Sequence, residues 1–160
     1  MKNYSREELS KSSSAMNQLR NMIYHLIRFL YDSGHNDSSI IKILKRMGKN
    51  IAKTESNLFE FDGNSPEDLL KMIYDKILGS KISVSKNALS NDVLIEDKKC
   101  CVCKYHRKDI SVAPCEIIQS MVSELMNLYG YSVEKSVVEK SMALGDLSCI
   151  HSYRIKLDKM

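Results

Sequence analysis

Apolar residues recur every three to four positions through the first half of this chain and then switch to strict alternation near its end. That switch of period constrains the fold most, because it requires helices first and a sheet later. Met16, Leu19, Met22, Ile23, Leu26, Ile27 and Leu30 mark a helix over residues 15–32, broken at Ser33-Gly34-His35-Asn36. Asn36 or Asp37 caps a second helix, which runs to about Phe59 with Ile40, Leu44, Met47, Ile51 and Leu58 on its stripe. Ser65-Pro66-Glu67-Asp68 opens a third: serine at the N-cap, proline at the first helical position, acids at the positive end. It stops at Gly79.

Ile82 and Val84 begin the alternation, and Val93-Leu94-Ile95 follows the turn Ser90-Asn91-Asp92. The stretch 97–109 is charged and cysteine-rich and reads as a loop or an edge. Pro114 opens a fourth helix bearing Ile117, Ile118, Met121, Val122, Leu125 and Tyr129 on one face, and Gly130 closes it. Residues 131–142 read as a strand and Gly145-Asp146 as its turn. Leu147, Cys149, His151, Tyr153, Ile155 and Leu157 then alternate along a last strand expected to be the longest. The order implies an α+β fold: four main helices packed on an antiparallel sheet of about four strands.

A length of 160 residues suits one domain. Residues 1–14 are polar and Ser/Lys-rich, lack the apolar core of a secretory signal, and are expected to be a disordered tail; residues 15–160 form the domain. No apolar run approaches the length of a membrane span. The five cysteines are odd in number and bunched at Cys100, Cys101 and Cys103, a usage that suits free thiols in a reducing compartment. A net charge of +4 is too mild to argue for nucleic acid.

Several segments, taken in order, resemble the Bet-three-like small subunits of the transport protein particle (TRAPP) tethering complex. Met47-Gly48-Lys49-Asn50-Ile51-Ala52 is similar to a Met-Gly-aromatic-Asn-Ile-Gly segment of that family's second helix, with Lys49 in place of the aromatic residue and Ala52 in place of the second glycine. The run from Lys71 to Leu78-Gly79 resembles the end of its third helix. Residues 115–128, Gly130 and a hairpin ending Tyr153-Arg154-Ile155-Lys156-Leu157-Asp158 resemble its last helix and closing strands. The resemblance implies a non-catalytic subunit of a cytoplasmic complex at the cis-Golgi or ER-Golgi interface. Such a subunit binds sister subunits through its first two helices, and the assembled complex acts on a Rab-family GTPase. A core subunit of the family also carries an acyl chain on a cysteine near its second and third helices. No cysteine lies between Met1 and Lys99, so acylation is not carried over. The alternative is a vinyl reductase-like sensor domain of the same fold, binding zinc or a small apolar ligand.

Three sets of residues are candidate sites. At about 100° per residue, apolar side chains cover roughly 200° of the first helix, more than one core needs. Tyr24, Phe29 and Tyr31 flank the main stripe there, and Ile41 and Phe59 flank it on the second helix, so these five are expected to anchor a sister subunit. Lys42, Lys45, Arg46, Lys49 and Lys53 share a basic arc suited to a weak contact with anionic lipid. Cys100-x2-Cys103 with His106 is a metal-like cluster, with Cys101, Cys115, Cys149 and His151 the other possible ligands. A second Cys-x2-Cys pair is missing, so neither zinc nor any other cofactor is expected, and the neighbouring lysines are expected to make the thiols reactive. Phosphate loops and nucleophile or zinc-protease motifs are absent from the sequence, and His151 reads as a satisfied core histidine, so no catalytic residues are expected.

Overall fold

A computed structural model describes residues 6–58, 60, 65–87 and 92–156. Helix α1 spans Arg6–Asp32, α2 Asp37–Glu55 and α3 Pro66–Met72, which continues into one π-helical turn, Ile73–Ile77. Strands β1 (Ile82–Lys86) and β2 (Asp92–Asp97) follow, then α4 (Glu116–Leu128), β3 (Ser132–Lys140), a short 3-10 turn (Met142–Leu144) and β4 (Cys149–Lys156). The four strands form one antiparallel sheet in the order β1-β2-β4-β3. The architecture is the expected α+β one.

Local signals place most element ends. The Asn36 side chain accepts the Ser39 N–H at 2.9 Å, which identifies the α2 cap. At the end of α4, Gly130 adopts φ +90°. That turn lets Gly130 N–H reach the Asn127 carbonyl and Tyr131 N–H the Met126 carbonyl, both at 3.0 Å, a Schellman closure. Ser65 Oγ accepts the Asp68 N–H at 3.1 Å and donates to Asp68 Oδ2 at 2.7 Å. Ser65→Ala should therefore cost about 1 kcal/mol, read as a lower urea midpoint. An unchanged midpoint would mean that the cap contributes nothing.

Several element limits and one strand length differ from the sequence expectation. Helix α1 starts at Arg6, so residues 6–14, expected to belong to a disordered tail, are helical. Arg6, Glu7, Glu8, Leu9 and Lys11 are all good helix formers and extend the first helix backwards. Residues 1–5 lie outside the described residues. Helix α2 ends at Glu55, and Phe59 also lies outside them. The longest strand is β3, with 9 residues against 8 for β4. Leu147 is in phase with β4 but 98% exposed, because pairing with β2 begins only at Cys149, opposite Asp97.

Helix α4 lies between α2 and the β3 side of the sheet. It is buried nearly all round: Ile117, Met121, Val122 and Leu125 are core, and so are Gln119, Ser120 and Ser123. The sheet face toward the core carries the cross-strand pairs Val93–Tyr153, Ile95–His151 and Asp97–Cys149, all buried. That face therefore brings a carboxyl, an imidazole, a phenol and a thiol into the interior.

Candidate functional site: an apolar groove beside a buried thiol cluster

Helices α1 and α2 do not close on each other. They flank an open groove of about 540 Å³. Leu19, Met22 and Leu26 line it from α1, Met47 and Ile51 from α2, and Met121 from α4. Cys101 and Val102 supply one wall, and Glu55 is the one charged residue lining it among the described residues. Met22 is 69% exposed and Leu58, just past α2, also 69%. These residues belong to the main stripes, which the sequence assigned to the chain's own core. The excess apolar surface of the first two helices therefore lies largely in the groove and not only on its flanks.

The five expected anchors have different fates. Phe29 is 64% exposed. The Tyr24 hydroxyl donates to Asp109, which also pairs with Arg28, and the Arg107 guanidinium sits 4.2 Å from the Tyr24 ring centre. The Tyr31 hydroxyl meets Asp37 Oδ1 and Ser111 Oγ, each at 2.9 Å. Tyr24 and Tyr31 thus fasten the 105–111 segment onto α1, because their polar ends find partners within the chain. Ile41 is half-buried, and Phe59 lies outside the described residues.

On the basic arc Lys42, Arg46, Lys49 and Lys53 are exposed. Lys45 is half-buried and forms an ion pair with Glu116 at 3.5 Å, so its charge is largely offset.

The cysteines hold the least expected arrangement. Cys100, Cys103, Cys115 and Cys149 are all buried, and the sulfurs of Cys100, Cys103 and Cys149 lie within 4.8 Å of one another. Cys115 donates to the Ser141 hydroxyl, at 3.7 Å. Cys115 stands at the N-cap of α4 without using its side chain to cap the helix. Ser141 Oγ donates to Cys103 Sγ at 3.5 Å, and Met142 N–H to Cys149 Sγ at 3.5 Å. Thiol hydrogen bonds from Cys100, Cys103 and Cys115 pull the Cys149 thiol well below its ordinary range, while Cys100 is pushed up by its bonds to the other three and by burial. His106 is exposed and stands against Gly145, and His151 turns elsewhere. Cys101 reverses the expected activation by lysines: burial pushes its thiol up to about 12. The sequence missed the convergence because its four members come from three separate elements. The one available signal was that Cys149 shares the buried phase of His151 and Tyr153.

Beside the cluster, the Tyr74 hydroxyl bridges His151 Nδ1 at 2.6 Å and the Tyr153 hydroxyl at 2.9 Å, all three residues being fully buried. Burial lowers the His151 pKa to about 4 and raises both phenols, so the trio is neutral near pH 7. His151 is thus a core histidine, but only half satisfied: Nδ1 meets Tyr74, while the buried Nε2 has no hydrogen-bond partner among the described residues.

Comparison with known proteins bears on the fold. No family model matches the chain. No curated protein matches it in sequence. An H-NOX protein from S. oneidensis, in its Fe(II)NO ligation state, superposes with a TM-score of 0.53 at 12% identity, over 97% of this chain and 78% of that one. The trafficking protein particle complex subunit 3 from Naegleria fowleri, solved covalently bound to palmitic acid, superposes with a TM-score of 0.75 at 15% identity, over 90% of this chain and 96% of that one. At that identity the likeness concerns architecture alone: this chain has the α+β fold of a TRAPP complex subunit.

Proposed function

We propose that this chain is a non-catalytic subunit of a TRAPP-type tethering complex. In this reading it is cytoplasmic, binds sister subunits along its first two helices, and serves ER-to-Golgi transport and Rab nucleotide exchange through the assembled complex. One observation carries the reading: the exposed apolar surface formed by the groove, Leu58 and Phe29 on α1, α2 and the turn after α2. Surface of that kind on a monomer marks an interaction site, and it lies on the helices through which the resembling family assembles. The anchors are then Phe29, Met22 and Leu58, with Ile41 at the edge. Wild-type protein at micromolar concentration should sediment as a self-associated species, and a sister subunit should displace that contact. Phe29→Asp and Met22→Asp should each release folded monomer. A monomeric wild type, or variants that keep its mass while folded, would contradict the reading.

The exposed cations Lys42, Arg46, Lys49 and Lys53 fit a peripheral contact with an anionic membrane. Each cation near such a surface is worth about 1 kcal/mol and is screened by salt. Weak binding to phosphatidylserine vesicles is expected at low salt and should vanish in a Lys42→Glu, Lys49→Glu variant. Binding that survives in that variant would leave this face without a membrane role. No helix among the described residues is long and apolar enough to cross a membrane.

A second reading, the vinyl reductase-like sensor domain, is favoured by the groove, whose volume is in the range of small-ligand sites. Mass spectrometry of organic extracts from the purified chain separates the two. A stoichiometric apolar molecule other than a fatty acid supports the sensor, and an empty self-associating chain supports the tether.

A further inference from the structure

We propose that Cys100, Cys103, Cys115 and Cys149 form a tetrathiolate site for a single zinc ion, which pins the groove wall at Cys101 and Val102 to the core.

The ligands come from three parts of the fold. Cys100 and Cys103 sit in the segment after β2, Cys115 at the start of α4, and Cys149 at the start of β4. Tetrahedral zinc with Zn–S bonds of about 2.3 Å places its sulfurs about 3.8 Å apart. The 4.8 Å span of Cys100, Cys103 and Cys149 is thus within about 1 Å of that geometry. Cys115 is fully buried and shares the Ser141 hydroxyl with Cys103, at 3.7 and 3.5 Å, so it is the thiol placed to supply the fourth ligand. The missing second Cys-x2-Cys pair, which argued against metal at the level of sequence, is replaced by one thiol from a helix end and one from a strand.

The surroundings are those of a built site. Asp97, paired opposite Cys149, accepts the Lys99 N–H at 2.8 Å and so shapes the turn into Cys100. Cys103 N–H points back to the Cys100 carbonyl at 3.4 Å, a tight turn that aims both sulfurs inward. The Met142 N–H and the Ser141 hydroxyl donate to ligand sulfurs, as outer-shell groups do in metal sites. Four soft thiolates select zinc over magnesium, calcium or manganese. The close spacing suits one ion, since a multi-iron cluster needs its cysteines further apart. On binding, the ligand thiols give their protons to solvent and the site closes with four protein ligands, the pattern of a structural ion. The two residues between the first two ligands line the groove, so the ion would order the surface that receives a partner or ligand.

The test uses the full chain, reduced and metal-free under anaerobic conditions, titrated with cobalt(II) and then zinc(II). Expected are thiolate-to-cobalt charge-transfer bands with tetrahedral visible bands, saturating at one equivalent and bleached by one equivalent of zinc. Cys101→Ser should behave as wild type, while Cys115→Ser and Cys149→Ser should lose the one-equivalent endpoint. Zinc should also slow amide exchange at residues 100–103. Wild type without a cobalt–thiolate band overturns the site, and this arm needs no variant to fold. An endpoint that survives in folded Cys149→Ser overturns the ligand set, and unchanged exchange overturns the pinning of the wall.

Discussion

Gly48→Ala should lower the stability of the domain by about 3 kcal/mol, a fall of roughly 6–12 °C in melting temperature for a chain of this size. Gly48 faces α4 from the middle of α2, where an added Cβ would stand 2.3 Å from the Ile117 carbonyl oxygen and 2.9 Å from the Met121 nitrogen. Both obstacles are backbone, and α4 is held from behind by the sheet, so it has little room to retreat. The close approach also lets the Ser120 hydroxyl donate to the Lys45 carbonyl at 2.6 Å. In an isolated helix, alanine would gain up to about 1 kcal/mol over glycine. Here overpacking outweighs that gain, because separating the helices also loosens the apolar contacts of Leu44 and Ala52 beside it. The measurement is thermal unfolding followed by circular dichroism. An alanine variant as stable as wild type would mean that the helices do not approach this closely.

Tyr74→Phe should cost about 3 kcal/mol, and Tyr153→Phe only about 1 kcal/mol. Removing the Tyr74 hydroxyl strands two buried groups, His151 Nδ1 and the Tyr153 hydroxyl, in a part of the core without solvent. Removing the Tyr153 hydroxyl leaves Tyr74 still bonded to His151. The asymmetry is what distinguishes the bridge from ordinary packing, since both changes delete one oxygen and leave the ring. Urea unfolding at pH 7 with unchanged slopes reads the difference as a shift in midpoint. Equal costs for the two variants would contradict a bridging role for Tyr74.

Much of the fold was legible from short-range pattern. The Ser65 cap, the Gly130 closure and the alternation through Cys149, His151 and Tyr153 each reflect the backbone of a few adjacent residues, and each is where the pattern put it. The partner surface was legible in kind but misplaced in detail. Helical spacing reports that Met22, Leu26 and Met47 share apolar faces with the core residues Ile23 and Leu44, but not that α1 and α2 stand apart and leave them in a groove. Nor could spacing show that Tyr24 and Tyr31 spend their hydroxyls on Asp109, Asp37 and Ser111, which lie far along the chain or on another element.

The sequence by itself determined which segments are helix and which are strand, and where several of them end, because period and capping are set by neighbours within a turn. Only the tertiary structure decided that Cys100, Cys103, Cys115 and Cys149 meet. Their meeting depends on the register that sets Cys149 opposite Asp97 and on the docking of α4 between α2 and the sheet. Both are contacts between residues distant in sequence, fixed by how whole surfaces pack, and no local period encodes them.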